Sequence, residues 1–405
     1  MKKLERQTDI LQLISQLDIP PSLYKNAHQK YKSIAKYLED HGLQADMYPQ
    51  GSFALGTVIR PYSKDKTRNY DLDFICQVKG TRDNFSPSEL RKQISDILNA
   101  SDLYGGKLTE YDECFTIEYA DINGIGFSID IVPATGENAS KKAELCTLSK
   151  YPWLIDTAIA IPRHSQQKTY NWITNNPIGY REWFYDINAS FRAVSGVTYR
   201  QNLFSAHKDV YASIEEIPVE MERTSMQRVI QILKYHRDVY YSKIQNGDDI
   251  KPISAIINTI VAEISKSANP NWSVFDLLQY IVNELAIYAQ KQHLSSDEFT
   301  RQYGERNVFT RNCNGWRIEN PANPKDNLAD KWNSNSEIPR RFFQWTAAVK
   351  DQLIDSLDLS DEDFRSKAET AFGYRTVSET WKDKYNAIKP KPVSTSTPAR
   401  PWRVR

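Results

Sequence analysis

The sequence predicts an α+β chain built as two units, a sheet-bearing N-terminal part followed by a helical part. Two observations predict it. Segments 70–78, 114–119 and 125–132 are rich in β-branched and aromatic residues, and beyond Trp153 apolar residues recur at helical spacing instead.

The elements follow in order. Leu23, Ala27, Tyr31, Ile34, Ala35 and Leu38 share one face of a helix over 21–41, which His41-Gly42 would end. Residues 70–78 alternate as a strand, and 88–98 form a helix opened by Ser86-Pro87. The strands 114–119 and 125–132 are joined by Asp121-Ile122-Asn123-Gly124, a hairpin connection. In the helical part, Met226, Val229, Ile230, Leu233 and Arg237 mark one helix and leave Lys234 off its core face. Ile253, Ile256, Ile257, Ile260, Val261 and Ile264 mark a second, with Pro252 at its first position. Phe275, Leu278, Ile281, Val282 and Leu285 mark a third. The Asn-, Pro- and Gly-rich stretch 304–339 should be mostly irregular. The expected units are therefore 1–160, 161–388 and a flexible, basic, Pro/Ser/Thr-rich tail over 389–405.

Bulk properties narrow the classes. With 405 residues, 40% hydrophobic and 25% charged, the chain has the make-up of a globular protein with a sizeable core. It has neither an apolar run long enough for a membrane span nor a secretory leader, so a cytoplasmic protein without membrane association is expected. A net charge of +1 gives no general affinity for nucleic acid. Cys76, Cys114, Cys146 and Cys313 are isolated and the histidines scattered, which excludes a Cys/His zinc cluster. Any metal here should have oxygen ligands.

Those ligands are visible as a pattern. Asp71 and Asp73 stand two apart on a strand, so both carboxylates share one face while Leu72 and Phe74 take the other. Asp130 lies opposite Phe127, Ile129 and Ile131 on its own strand, and pairing of the two strands would bring three carboxylates together. Acidic residues on a strand are commonly just a solvated face. Like charges so close nevertheless call for cations between them, and three such carboxylates can hold two metal ions about 3.5–4 Å apart. Upstream, Gln50-Gly51-Ser52 offers backbone N–H groups and a hydroxyl to phosphate oxygens, without the lysine of a Walker loop.

Together these residues resemble the polymerase-beta-type nucleotidyltransferases, whose glycine-serine loop precedes a D-x-D strand and a distant third aspartate. The loop-to-strand gap here is somewhat longer, its extra residues falling within 61–69. The closer resemblance is to the bacterial CD-NTases, cyclic-oligonucleotide synthases related to cyclic GMP-AMP synthase and oligoadenylate synthase. It is carried by Lys234-Tyr235-His236-Arg237-Asp238, by Lys251-Pro252-Ile253-Ser254-Ala255-Ile256-Ile257 and by Asn320-Pro321-Ala322-Asn323-Pro324 running on to Ala329-Asp330.

The resemblance implies a catalytic αβ lobe with a mixed or antiparallel sheet, an α-helical lobe, and an active site in the cleft between. It implies Asp71, Asp73 and Asp130 as ligands of two Mg²⁺ ions, with Mn²⁺ as an alternative. It implies Gln50, Gly51 and Ser52 as the donor phosphate loop, and Lys234 and Ser254 as triphosphate contacts. Tyr235 stands where the family often has arginine, which leaves His236 and Arg237 as candidates to brace the lobe interface. ATP, GTP or other triphosphates would be joined into a cyclic di- or trinucleotide, and that product would switch on a separate effector in antiphage defence. Transfer of nucleotides to RNA or protein is the alternative. The tail 391–405 is long enough to be conjugated by a ubiquitin-like machinery, although Trp402-Arg403-Val404-Arg405 lacks a small terminal residue. Without a zinc insertion, activation by DNA is not expected. Trp153, Trp172 and Trp183 are candidates to stack a base or to fill core.

Overall fold

The computed structural model describes residues 2–62, 70–122, 125–164, 169–191, 222–290, 294–303, 308–312 and 315–386. The expected tail, Cys313 and the tip of the hairpin at Asn123-Gly124 lie outside them, as do residues 63–69 between the glycine-serine loop and the D-x-D strand.

The N-terminal unit is a mixed sheet. After α1 (Lys2–Ser15) and α2 (Pro21–Asp40) come β1 (Ala45–Pro49), the single turn α3 (Gly51–Ala54) and β2 (Tyr70–Thr81). Then follow α4 (Pro87–Asn99), β3 (Leu108–Glu110), β4 (Phe115–Ile122) and β5 (Ile125–Gly136). The strand order is β1-β2-β5-β4-β3, with β2 parallel to β5 and the other neighbours along that path antiparallel. Leu72, Phe74, Phe127, Ile129 and Phe115 project from one face and bury against Leu23, Ile34 and Leu38 of α2 and Leu90, Ile94 and Leu98 of α4. That leaves the alternate residues of β2 and β5 for the opposite face. The start of α4 is fixed by a reciprocal cap between Ser86 and Glu89.

The sheet does not stop near residue 160. After α5 (Ala139–Leu148), β6 (Ile159–His164) pairs with the end of β5, and β7 (Tyr170–Asn175) pairs with β6. The expected boundary thus falls inside a strand, because Ile159 and Ile161 join Ile75, Val132 and Ala134 in a small core on the second face. Two other expectations need correction. Pro252 is not the first residue of a helix; it precedes the N-cap, Ile253. The stretch 304–339 is more ordered than its composition suggests, with short strands at Thr310–Asn312, Gly315–Arg317, Glu319–Asn320 and Asn323–Asn327. Its asparagines act as connectors: Asn323 donates to Thr174 O, Asn327 to Trp316 O, and Asn176 of the β7 end to Ala322 O.

The helical unit comprises α6 (Pro177–Asn188), α7 (Ser225–Tyr241), α8 (Ser254–Ser265), α9 (Val274–Gln290), α10 (Glu337–Val349), α11 (Asp361–Phe372) and α12 (Tyr374–Trp381), with shorter turns between. Its core also takes Ile10, Leu13 and Ile14, so α1 packs with the helices and not with the sheet. Arg6 secures it by donating to Leu357 O and Leu359 O, each at 2.8 Å.

Helix α7 is the centre of the molecule. It is buried almost all round, which a stripe of four apolar residues did not indicate. His236 on it is neither a ligand nor a brace between the units. The Trp345 indole N–H donates to His236 Nδ1 at 3.0 Å, and Nε2 lies 3.1 Å from Gln352 Oε1 in the π-turn Lys350–Ile354. That pairing demands the neutral ring with its proton on Nε2, and burial pushes its pKa down to about 4 from 6.5. The unfolded chain therefore takes up a proton that the folded chain refuses. Stability contributed by neutral His236 is complete above pH 6.5 and is lost as pH falls through 4, on the order of 3 kcal/mol in all. Urea midpoints at pH 7.5 and 5.0 should fall less steeply in His236→Gln than in the parent; parallel slopes would refute this.

Candidate active site

Register assembles the carboxylates. In the parallel β2–β5 pair, Asp73 lies opposite Asp130 and Asp71 opposite Ser128, all on the face turned away from the α2/α4 core. One carboxylate oxygen from each of Asp71, Asp73 and Asp130 falls within 4.8 Å of the others. Asp71 is exposed, and Asp73 and Asp130 are half-buried.

Three like charges crowd one face, opposed only in part by the Lys234 charge near Asp73, and the strain shows in their acidities. Burial, then the charges of Asp71 and Asp130, lift Asp73 to about 7. Asp71 is raised by burial, partly offset by a hydrogen bond from Ser128 Oγ to Asp71 Oδ1 at 3.2 Å. Asp130 is raised by burial and by Asp71, partly offset by hydrogen bonds from Thr116 and Cys114. A cluster of oxygens that resists losing its protons without added positive charge suits a hard cation. These residues can hold a metal.

The glycine-serine loop presses against this cluster. Gln50 N–H donates to Asp73 O at 2.9 Å, tying the loop to β2. Gly51 takes φ +59°, and a Cβ there would lie 2.6 Å from Asp73 Oδ2. Only glycine permits this approach. Gly51→Ala should therefore displace the carboxylate and lower the turnover of triphosphate on the order of 10²-fold, at a cost in stability of about 1–2 kcal/mol. Turnover and melting temperature of the purified variant test this, and turnover within threefold of the parent would count against it.

Helix α7 reaches the segment after the loop with a ladder of side chains at i, i+4 and i+7. Gln227 Nε2 donates to Leu55 O at 2.8 Å, Gln231 Nε2 to Val58 O at 2.7 Å and Lys234 Nζ to Thr57 O at 3.1 Å. Gly56, at φ +65°, fits under it because a Cβ would meet Gln227 Nε2 at 2.5 Å. Lys234 is 6% exposed, not an ordinary surface lysine, and burial followed by the nearby Arg237 charge pulls its pKa down to about 7. Ser254 opens α8, and its Oγ accepts from Arg237 Nη1 at 3.2 Å. Arg237 also donates to Pro252 O at 3.0 Å, so it braces the start of α8.

The structure brings the expected residues into one place. Gln50, Gly51, Ser52, Asp71, Asp73, Lys234 and Ser254 line a single cleft of about 580 Å³ between the sheet and the helices, and Asp130 is not among its lining residues but has a carboxylate oxygen within 4.8 Å of those of Asp71 and Asp73. Sequence reasoning missed Arg181, Asp238, Lys251, Asn320 and Asp326, which line it too. Asn320 and Asp326 fall in the Asn-Pro segment that the resemblance had marked without a role, while Arg181 carried no signal. The tryptophans are not on the cleft wall: Trp183 is core, Trp172 packs half-buried on the sheet, and Trp153 is 69% exposed.

A mixed sheet whose clustered carboxylates face a glycine-serine loop, capped by a helical unit across a cleft, is the build of a polymerase-beta-type nucleotidyltransferase. The family model of the Second Messenger Oligonucleotide or Dinucleotide Synthetase domain matches residues 5–188. The chain is similar to a c-di-GMP synthase of Roseivirga ehrenbergii, at 25% identity over 85% of this chain and 77% of that protein. It is 23% identical to the cyclic dinucleotide synthase CdnG of Bradyrhizobium diazoefficiens over 58% of this chain and 53% of that protein. The solved structure of CdnG from that organism in complex with GTP shares the fold, with a TM-score of 0.65 at 16% identity, covering 93% of this chain and 98% of that one. Residues 5–188 match the model of this family's domain, the chain shares the fold of the CdnG structure, and the curated relatives support a nucleotidyltransferase. Among the described residues, no helix is long and apolar enough to cross a membrane.

Proposed function

We propose that the chain joins nucleoside triphosphates, ATP or GTP among them, into a cyclic di- or trinucleotide that acts on a separate effector. The observation that carries this is the single cleft lined by Asp71 and Asp73, with Asp130 clustered beside them, by the Gly51-Ser52 loop, and by Lys234 and the start of α8. The synthase activities named for the two curated relatives support it.

In this proposal Asp71, Asp73 and Asp130 hold two Mg²⁺ ions. Bound there, the ions would lower the pKa of an attacking ribose hydroxyl and offset charge on departing pyrophosphate. The protein's own groups do the rest. Gln50, Gly51 and Ser52 direct N–H groups and a hydroxyl at the donor phosphates. Lys234, at the foot of the α7 ladder, would exchange Thr57 O for a phosphate oxygen, whose negative charge favours the protonated ammonium, the proton coming from solvent. The first turn of α8 presents Ser254 and unpaired N–H groups to the same triphosphate. Asp130 stands where it can orient and deprotonate the acceptor hydroxyl, so that its oxygen displaces pyrophosphate from the donor α-phosphate. A second such transfer closes a ring of two nucleotides, and a third closes a ring of three.

Purified protein incubated with radiolabelled triphosphates and Mg²⁺ should yield a small phosphatase-resistant product without added acceptor. Label appearing only in supplied RNA or protein would replace this proposal with the polymer-modifying one.

A further inference from the structure

The three carboxylates do not orient themselves. Reading across the sheet, residues in register form rows on the cleft face. One row is Asp73 on β2, Asp130 on β5 and Thr116 on β4, since Asp130 is the partner of Asp73 on one side and of Thr116 on the other. Thr116 is 8% exposed, and its Oγ1 donates to Asp130 Oδ1 at 2.5 Å. Its hydroxyl has one proton, and the ionised carboxylate can only accept, so that proton is committed to Asp130. Cys114, two residues earlier on the same face, has its Sγ 4.0 Å from Thr116 Oγ1 and its thiol also bonds Asp130. The thiol, the hydroxyl and the carboxylate thus form a chain of contacts in which the hydroxyl donates to the carboxylate.

Asp130 needs that chain more than its neighbours do. Asp73 is held by the close approach of Gly51, and Asp71 accepts from Ser128. Asp130 comes from β5, and the loop's backbone bond is to β2.

We propose that Thr116 is a positioning residue for the transfer reaction, its buried hydroxyl holding the Asp130 carboxylate in the orientation that receives the divalent cation. This rests on the function proposed above only in taking Asp130 as a metal ligand. Groups that hydrogen-bond a metal ligand from behind set its orientation and basicity, and their loss commonly costs 10–100-fold in metal affinity or activity.

The test is Mn²⁺ binding to the full-length protein without nucleotide, read as free Mn²⁺ by electron paramagnetic resonance, for the parent, Thr116→Val, Thr116→Ser and Asp130→Asn. Valine keeps the shape and the β-branch but removes the hydroxyl; serine keeps the hydroxyl. Thr116→Val should weaken Mn²⁺ binding on the order of 10-fold or more, raise the Mg²⁺ concentration needed for half-maximal product formation in step, and leave the melting temperature without cation near that of the parent. Thr116→Ser should restore most of the affinity. If Asp130→Asn weakens Mn²⁺ binding while Thr116→Val binds like the parent, the positioning role is wrong and the metal site stands. If Thr116→Ser loses as much as Thr116→Val, the hydroxyl is not what matters and the role is again wrong. If Asp130→Asn itself binds Mn²⁺ like the parent, the metal site is misassigned.

Discussion

Asp73→Asn is expected to lower product formation by at least about 10³-fold, roughly 4 kcal/mol of transition-state stabilisation, while raising the melting temperature of the cation-free protein. Both effects have one origin. Asp73 sits between Asp71 and Asp130 with ligand oxygens within 4.8 Å, and its charge is already disfavoured enough to lift its pKa to about 7. Asparagine fills the same space with no charge, so it relieves the crowding in the empty site and removes the attraction for a cation in the working one. The backbone carbonyl of residue 73 still accepts from Gln50 N–H, so the loop stays in place. Turnover and melting curves with and without Mg²⁺ read the two effects separately. Parent-like turnover in Asp73→Asn would overturn the metal mechanism. A lower melting temperature would show that Asp73 is bonded in a way that its raised acidity does not suggest.

The largest effect on folding should come from a residue outside the cleft. Asp18 and Arg228 are both essentially buried, with Arg228 Nη1 at 2.9 Å from Asp18 Oδ2. Gln231 Nε2 donates to Asp18 Oδ1 at 2.6 Å, and the Tyr70 hydroxyl to Asp18 O at 2.6 Å. The carboxylate therefore ties the link between α1 and α2 to α7, while the backbone carbonyl of Asp18 ties it to the first residue of β2. Asp18→Ala leaves a buried guanidinium without its charge partner and should cost about 3–5 kcal/mol, measured as a shift in the urea transition. The double variant Asp18→Leu with Arg228→Met, which removes both charges, should recover most of that loss. A single-variant cost under about 1 kcal/mol would mean that water reaches Arg228 once the carboxylate is gone.

What the sequence makes legible is what repeats at short range. The period of two around Asp71 and Asp73 sets their common face, and the apolar runs of α7, α8 and α9 name the helices that form the second unit. Pairing of β2 with β5 is long-range, and so is the parallel register that sets Asp73 opposite Asp130; no single segment encodes either. The same holds for α1, whose apolar residues gain neighbours from the turn Asp355–Asp358 and from α12 at the far end of the chain. Lys234 illustrates a subtler gap. Its place off the apolar stripe of α7 suggests solvent, but a second surface, the 55–58 segment, covers that side of the helix. Arg181 was silent for a different reason: an isolated arginine on a helix has no pattern to betray it.

The Gln227–Gln231–Lys234 ladder has a consequence for how such enzymes can be recombined. By chain order and by sheet topology, the phosphate loop belongs to the N-terminal unit. By its bonds, the segment that follows it is a fitted part of α7, seated on three donors and on a Gly56 that tolerates no side chain beneath Gln227. A chimera that grafts the sheet unit of one relative onto the helical unit of another would thus cut across a matched pair, and moving residues 50–60 together with 223–238 would keep the pair intact. For exchange among relatives, the interchangeable part is this composite of loop and helix, which no single stretch of the chain contains.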